Sequence, residues 1–224
     1  METHSKSWRG PREFFREILI IVVGVLIALS GQQAVDWIHQ QNELAETREA
    51  LRDEIAQNAS LVALGSALDR CRFAMTEKYE GWARGGPQPE ILPGIAVPVI
   101  GFSVWEVAKA GALSRMPVKE RLSYSLVYDH LAILQRNIDQ QVDLNLTLAQ
   151  FNNQQQLNLS PDQAQRLLEL SSAARALITA KDRFVPGLQN EFQTLGISPE
   201  PVSDSRRERL NDLCQAAGMP APTL

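Results

Sequence analysis

Cysteine is scarce in this chain of 224 residues, with Cys71 and Cys214 alone, and histidine is nearly as scarce, with His4, His39 and His130. Two cysteines this far apart exclude a disulfide-dense mini-domain and any C-x-x-C metal or redox motif. The histidines never stand as H-E-x-x-H, the spacing that puts two imidazoles on one helix face for zinc. No Walker-type glycine loop is present to offer backbone amides to phosphates, and no G-x-G-x-x-G to approach a dinucleotide. Gly101-Phe102-Ser103 begins like a nucleophile elbow, but Trp105 stands where the closing glycine belongs. Positive charge is also in deficit: 22 Lys and Arg face 26 Asp and Glu, a formal net charge of -4. A mildly acidic chain repels polyphosphate, so a nucleic-acid partner is not expected. No cofactor and no metal site is expected either, and an enzyme is disfavoured.

What the chain does have is one long uncharged run. From Ile18 to Val35 there is no charged residue, and Ile18 through Leu29 is apolar throughout. A bilayer core takes roughly 20 predominantly apolar helical residues, so this run predicts a transmembrane helix over 18–38, with Trp37 and Ile38 at its far edge. A buried core helix is the first alternative, but such helices rarely lack a polar face over four turns. A cleaved signal peptide, with Ala28-Leu29-Ser30 as the small-x-small site, is the second; Glu13 and Glu17 and the helical continuation argue against it. The segment is therefore read as a signal-anchor. Lys6, Arg9, Arg12 and Arg16 precede the run, whereas Asp36 to Glu54 holds only Arg48 and Arg52. The excess of basic residues places the N-terminus, residues 1–17, on the cytoplasmic side and residues 39–224 outside, in the periplasm of a bacterium. Trp8, Phe14 and Phe15 among the cations suit a headgroup girdle. A 17-residue tail leaves no cytoplasmic output domain, which argues against a self-contained receptor.

The outer portion reads as all-α. Gln40 to about Tyr79 carries Leu44, Leu51, Ile55 and Val62 near helical spacing, with a second stripe of Leu61, Leu64 and Leu68 drifting off the first. That drift suits a globular bundle better than a strict heptad seam. One helix is thus expected to leave the bilayer and pack in a periplasmic bundle. Gly85-Gly86-Pro87-Gln88-Pro89 and Pro93-Gly94 break the pattern, making Gly81 to Gly101 the longest irregular stretch and the place to look for a partner site. Ser103 to Leu113 predicts a short helix with Trp105, Ala108 and Ala112 on one side. Pro117 opens the next, running toward Phe151 with Leu122, Leu126, Val127, Leu131, Leu134, Ile138 and Val142 on its buried side. Residues 142–148 alternate like a strand but follow a strong helical pattern without a turn signal, so helix is favoured. Ser160-Pro161-Asp162-Gln163 is a helix start with a capping box. Pro186 is expected to kink or break that helix and Gly196 to end it, and Ser198-Pro199 to open a last helix reaching Gly218.

Candidate functional residues are few. In an oxidising compartment Cys71 and Cys214 can form a structural disulfide; two buried thiols are the alternative. Trp105, Tyr124 and Tyr128 are candidates for a pocket lining or for inter-helix packing, with packing favoured. His130 beside Asp129 invites an acid/base reading, but adjacent helical residues do not face each other. Asp139 and Asp143 share a face at i,i+4, where a solvated helix surface is the usual meaning. Within the membrane run, Gly24, Ala28 and Gly31 fall at i, i+4 and i+7, a smooth stripe where another transmembrane helix can pack.

The stretch Arg12 to Leu29 resembles the start of a family of uncharacterised bacterial single-pass inner-membrane proteins, and Trp105-Glu106-Val107-Ala108-Lys109-Ala110-Gly111-Ala112-Leu113 followed by Met116-Pro117 is similar to a recurring segment of their outer domains. The resemblance implies an N-terminal anchor with a helical outer domain, and no catalytic residues. The expected function is therefore a membrane-anchored scaffold or accessory subunit binding another envelope protein, or a homo-oligomer, with the lipid bilayer as a constant partner. A periplasmic small-ligand-binding or sensory domain is the alternative.

Overall fold

The computed structural model describes residues 11–89, 98–153, 158–220 and 222. Five α-helices make up its regular structure: α1 (Pro11–Ala83), α2 (Ser103–Lys109), α3 (Val118–Asn153), α4 (Pro161–Thr194) and α5 (Asp204–Ala217). A 3-10 turn over Ala112–Arg115 separates α2 from α3, and there is no strand among the described residues. The chain is all-α, and it divides into two compact units, Met1–Thr47 and Arg48–Leu224.

The first unit is the N-terminal part of α1. It contains one stretch long and apolar enough to cross a membrane, and every described side chain from Phe14 to Glu43 is exposed. An α-helix satisfies its own backbone polar groups, which is why an apolar run with no polar face adopts it without any protein neighbour. A Cβ added at Gly24 or Gly31 would meet nothing within 4 Å, so the small-residue stripe with Ala28 faces open space.

The second unit is a helical bundle built on the remainder of α1. Helix α3 runs in the same direction as α1, since Arg48 pairs with Glu120, Tyr128 with Glu54 and Gln141 with Arg72. Helix α4 runs the opposite way: Lys181 meets Asp69, Arg175 meets Glu80, and Gly196 meets Arg52. Helix α5 again follows α1, with Glu200 just ahead of it held at Ala56 and Ala216 at Lys78. The predicted α1 stripe of Leu51, Ile55, Val62, Leu64 and Leu68 is buried, with Leu61 half-buried. Cys71, Met75, Tyr79 and Trp82 continue it into a cluster with Leu167, Leu170, Ala174, Leu210, Leu213 and Cys214.

Several sequence expectations are corrected. The helix expected to stop near Tyr79 reaches Ala83, and the one expected over Ser103 to Leu113 ends at Lys109 before the 3-10 turn. Residues 142–148, by contrast, are helical as expected, inside α3. Leu122 and Leu126, assigned to the buried side of α3, are exposed; Val127 is buried as expected, and Tyr124 and Tyr128 take that side with it. Pro186 does not break α4, which runs through it to Thr194. Pro186 and its neighbour Gly187 are exposed, as is Asp182, whose carbonyl loses its helical partner to the proline and can turn to water. Ser198-Pro199 does not open the last helix; residues 198–203 are irregular and α5 begins at Asp204 behind Ser203.

The expected capping box is present: Ser160 Oγ accepts from Gln163 N at 3.2 Å, and Gln163 Oε1 accepts from Ser160 N at 2.8 Å. At the other ends, α1, α4 and α5 all stop the same way. Gly85, Gly196 and Gly218 take positive φ, and the following amides reach back to Gly81, Phe192 and Cys214. These six-to-one bonds satisfy carbonyls that each helix end would otherwise strand.

Candidate functional site: a cleft at the end of α1

Helix α1 brings Lys78, Gly81 and Trp82 onto one face of its last turn and a half by their three- and four-residue spacing. The left-handed turn at Gly85, φ +92°, then redirects the chain so that Pro87, Gln88 and Pro89 fold back toward that face. Gly86 has to be glycine there, because a Cβ would stand 2.8 Å from the Gly81 carbonyl oxygen. The C-terminal turn of α5 contributes Gln215 and Ala216 from the opposite side. Together these eight residues line a cleft of about 470 Å³. Its floor is the buried face of Trp82 together with Pro89, and its rim is polar, with exposed Lys78 and Gln215. Lys78 Nζ donates to the Ala216 carbonyl at 2.8 Å, placing a cation on the negative end of the α5 dipole. Of the stretch singled out from sequence, residues 81–83 are helical, Pro87, Gln88 and Pro89 contribute to the cleft, and residues 90–97 lie outside the described residues.

The disulfide is formed. Cys71 and Cys214 are bonded, with their Cα atoms 4.9 Å apart, and both are buried under the cleft's end of the core. The bond ties α5 to α1 seven residues before Lys78, fixing the two helices whose ends make the cleft.

Trp105, Tyr124 and Tyr128 are all buried. Trp105 and Tyr128 stack with ring centroids 4.5 Å apart and planes 11° from parallel, and Phe102 closes on Tyr128 at 6.2 Å. Beneath them lies the polar centre of the bundle. Glu54 accepts from Val104 N at 2.9 Å, Trp105 N at 3.2 Å, Ser103 Oγ at 3.1 Å and Tyr128 Oη at 2.7 Å. It is an N-cap carboxylate for α2 supplied from α1, where it meets the positive end of the helix dipole. Burial and the bond to Glu54 both hold the Tyr128 phenol far above its ordinary range. Asn58 pairs with both backbone groups of Gly101, at 2.8 and 2.9 Å, and Gln135 accepts from Ile100 N, so side-chain amides pin the returning chain.

A second buried network escaped the sequence reading. Asp69, fully buried, lies 2.5 Å from Lys181 Nζ and 3.4 Å from Arg72 Nη1. Arg72 reaches Gln141 at 3.2 Å, Gln141 reaches Asn137 at 3.0 Å, and Asn137 reaches the Leu177 carbonyl at 3.3 Å. Burial lowers the Lys181 ammonium from its ordinary range against the pull of Asp69, and it lowers Arg72 in the same way. Gly65 leaves room for the lysine, since a Cβ there would come within 3.2 Å of Nζ. The signal available in the sequence was the phase of Asn58, Asp69 and Arg72, which fall on the apolar side of α1.

The remaining candidates stand apart. His130 Nδ1 lies 2.8 Å from the Glu191 carboxylate with its ring edge-on to Phe184, while Asp129 is exposed. Asp139 and Asp143 are exposed on α3, and Asp139 accepts from Gln135 at 2.7 Å. No group of three His, Cys, Asp or Glu stands together for a metal among the described residues.

No protein-family model, no curated protein and no solved structure matches this chain. The likeness of Trp105 to Leu113 to a bacterial single-pass family therefore stays a resemblance, and function rests on the geometry above.

Proposed function

We propose that this is a membrane-anchored interaction protein, a scaffold or accessory subunit whose helical bundle binds another envelope protein through the cleft at Lys78, Trp82, Pro89 and Gln215. The observation that carries the reading is the charge-free run from Ile18 to Val35, exposed throughout although every other helix buries a face. So much apolar surface in water is unfavourable by about 25 cal/mol for each Å² left uncovered, and lipid covers it. The formed disulfide favours an oxidising side of that membrane for the bundle, and the basic residues ahead of the run favour a cytoplasmic N-terminus. A buried aromatic floor with a polar rim is the make-up of a protein contact core. The same cleft has the volume of small-molecule sites, which is the observation favouring a ligand-binding domain as second reading.

The test is a photo-crosslinking residue in place of Pro87, on the cleft rim, in the native membrane, followed by mass spectrometry. One partner captured reproducibly, and lost when Gln215→Arg fills the cleft, supports the subunit reading. Self-crosslinks alone, or none, sink it and move the search to ligands.

A further inference from the structure

The hydrogen-bonding balance of the cleft at the end of α1 decides the chemistry of what fits it. Among its eight lining residues Lys78 alone carries a formal charge. Its ammonium has three protons, and one of them is used, on the Ala216 carbonyl at 2.8 Å. Trp82 is 3% exposed, yet its indole N–H meets no acceptor among the described residues. Buried indoles usually find one. The atoms sealed in the core without a partner are Asp69 Oδ2, Arg72 Nε and Ser171 Oγ; the indole nitrogen is not one of them, so it stays open to solvent where Trp82 lines the cleft.

The acceptors at this end of the bundle are already used. On α1 the carbonyls of Glu80, Gly81 and Trp82 accept from Arg84, Gly86 and Gly85, and on α5 those of Cys214 and Gln215 accept from Met219 and Gly218. The Glu80 carboxylate pairs with Arg175 at 3.0 Å and with Arg84 at 3.4 Å. Glu77 and Asp212, the other carboxylates on these turns, are exposed and take no part in the lining. Donors left over, acceptors satisfied and an apolar floor together complement a carboxylate held beside an apolar side chain. Spacing narrows its source. Lys78 and Trp82 stand four residues apart on one helix, where neighbours are about 5–6 Å apart at Cβ. The last residue of a chain carries carboxylate and side chain on a single Cα, which suits that separation, whereas an internal acid brings its apolar neighbour on another Cα. We infer, on the reading of this cleft as a partner site, that it captures the free C-terminus of the partner protein. Lys78 and the indole N–H of Trp82 take the terminal carboxylate, and the last side chain lies against Trp82 and Pro89.

The full chain, with its disulfide intact and in lipid nanodiscs, carries isotope-labelled tryptophan, and the Trp82 indole signal is identified by its loss in Trp82→Phe. The probes are acetyl-Phe-Leu with a free carboxylate, the same dipeptide as its amide, acetyl-Phe-Asp amide, and phenethylammonium. The free acid should shift the Trp82 indole signal and bind at least roughly tenfold tighter than the amide, the weight of one charge-assisted hydrogen bond. Lys78→Met should abolish that preference and Lys78→Arg keep it, with the Trp105 indole signal unmoved in both as the check on the fold. Equal affinity for acid and amide, or tighter binding of phenethylammonium, overturns carboxylate recognition and leaves the partner site standing. Affinity for the aspartyl amide equal to that for the free acid overturns the chain-end assignment. If no probe binds while the crosslinker at Pro87 still captures a partner, the carboxylate inference falls alone. If the crosslinker captures nothing either, the partner site falls with it.

Discussion

Glu54 concentrates more hydrogen bonds than any other side chain described above, and its effects can be separated by substitution. Glu54→Ala strands the amides of Val104 and Trp105 and the hydroxyl of Tyr128. An unpaired buried donor costs about 1–3 kcal/mol, so the variant should lose at least about 3 kcal/mol in urea unfolding. Tyr128→Phe removes one of those bonds and leaves an acceptor that still has three donors, so it should lose about 1.5–3 kcal/mol near neutral pH, the range for bonds to a charged group. The two differ again with pH. Because the folded-state value of the Tyr128 phenol is raised, its contribution is complete below the ordinary tyrosine value near 10 and is lost as pH climbs above it toward the folded value. The stability difference between the native chain and Tyr128→Phe should therefore shrink above pH 10, by up to about 1.4 kcal/mol per unit. A difference that stays flat between pH 9 and 11 would show that the phenol does not hold its proton in the fold. At this scale the sequence was partly legible. Trp105 and Tyr128 stood out as rings, but their shared carboxylate lies 51 and 74 residues away along the chain and no local spacing announces it.

The helices were the most legible level, because periodicity and end signals act locally. The Ser160 capping box and the stop at Gly196 follow from side-chain chemistry within a few residues. Where reading failed, tertiary context decided. Leu122 and Leu126 share a helical stripe with one another, but Glu54 and Trp105 hold Tyr128 inward, Tyr124 is buried on the same side, and the leucines are turned out. Pro186 was expected to break α4, yet its exposed position lets the helix continue around the lost bond. Pro186→Ala restores that bond and should stabilise the bundle by about 1–2 kcal/mol, since a helix-interior proline costs about 3 kcal/mol against alanine and the freer unfolded chain returns part of it. An unchanged midpoint in urea would show that solvent already compensates the freed carbonyl fully. Helix α5 depends on a different device. Its inward residues are Leu210, Leu213, Cys214 and Ala217, a small apolar set, and the Cys71–Cys214 bond closes a separation of 143 residues. Replacing both cysteines with alanine should cost about 2–5 kcal/mol, the usual range for a native disulfide. Amide exchange should rise first over Asp204 to Ala217. Uniform acceleration across α1, α3 and α4 would instead mean that α5 is no weaker than the rest of the bundle.

At the scale of the whole molecule, the proposed membrane placement and the disulfide make a joint prediction that neither makes alone. If basic residues set the orientation, the bundle sits on the side where thiols oxidise only because Lys6, Arg9, Arg12 and Arg16 outweigh Arg48 and Arg52. Replacing the four N-terminal cations with glutamine and adding lysines at exposed positions just after the run, such as Gln40 and Gln41, should invert that balance. In the inverted chain the bundle would fold on the reducing side. Cys71 and Cys214 would then react with maleimide after denaturation without prior reduction, whereas the native chain would stay unreactive. Alkaline carbonate extraction separates the readings, because an inverted chain stays in the membrane fraction and a chain without an anchor does not. A Leu26→Arg, Val22→Arg chain, with two cations at about 2.5–3.5 kcal/mol each in the helix centre, supplies the unanchored control. Bonded cysteines in a membrane-retained, charge-inverted chain would mean that something other than these cations sets the orientation, since the bond reports the side on which the bundle folded.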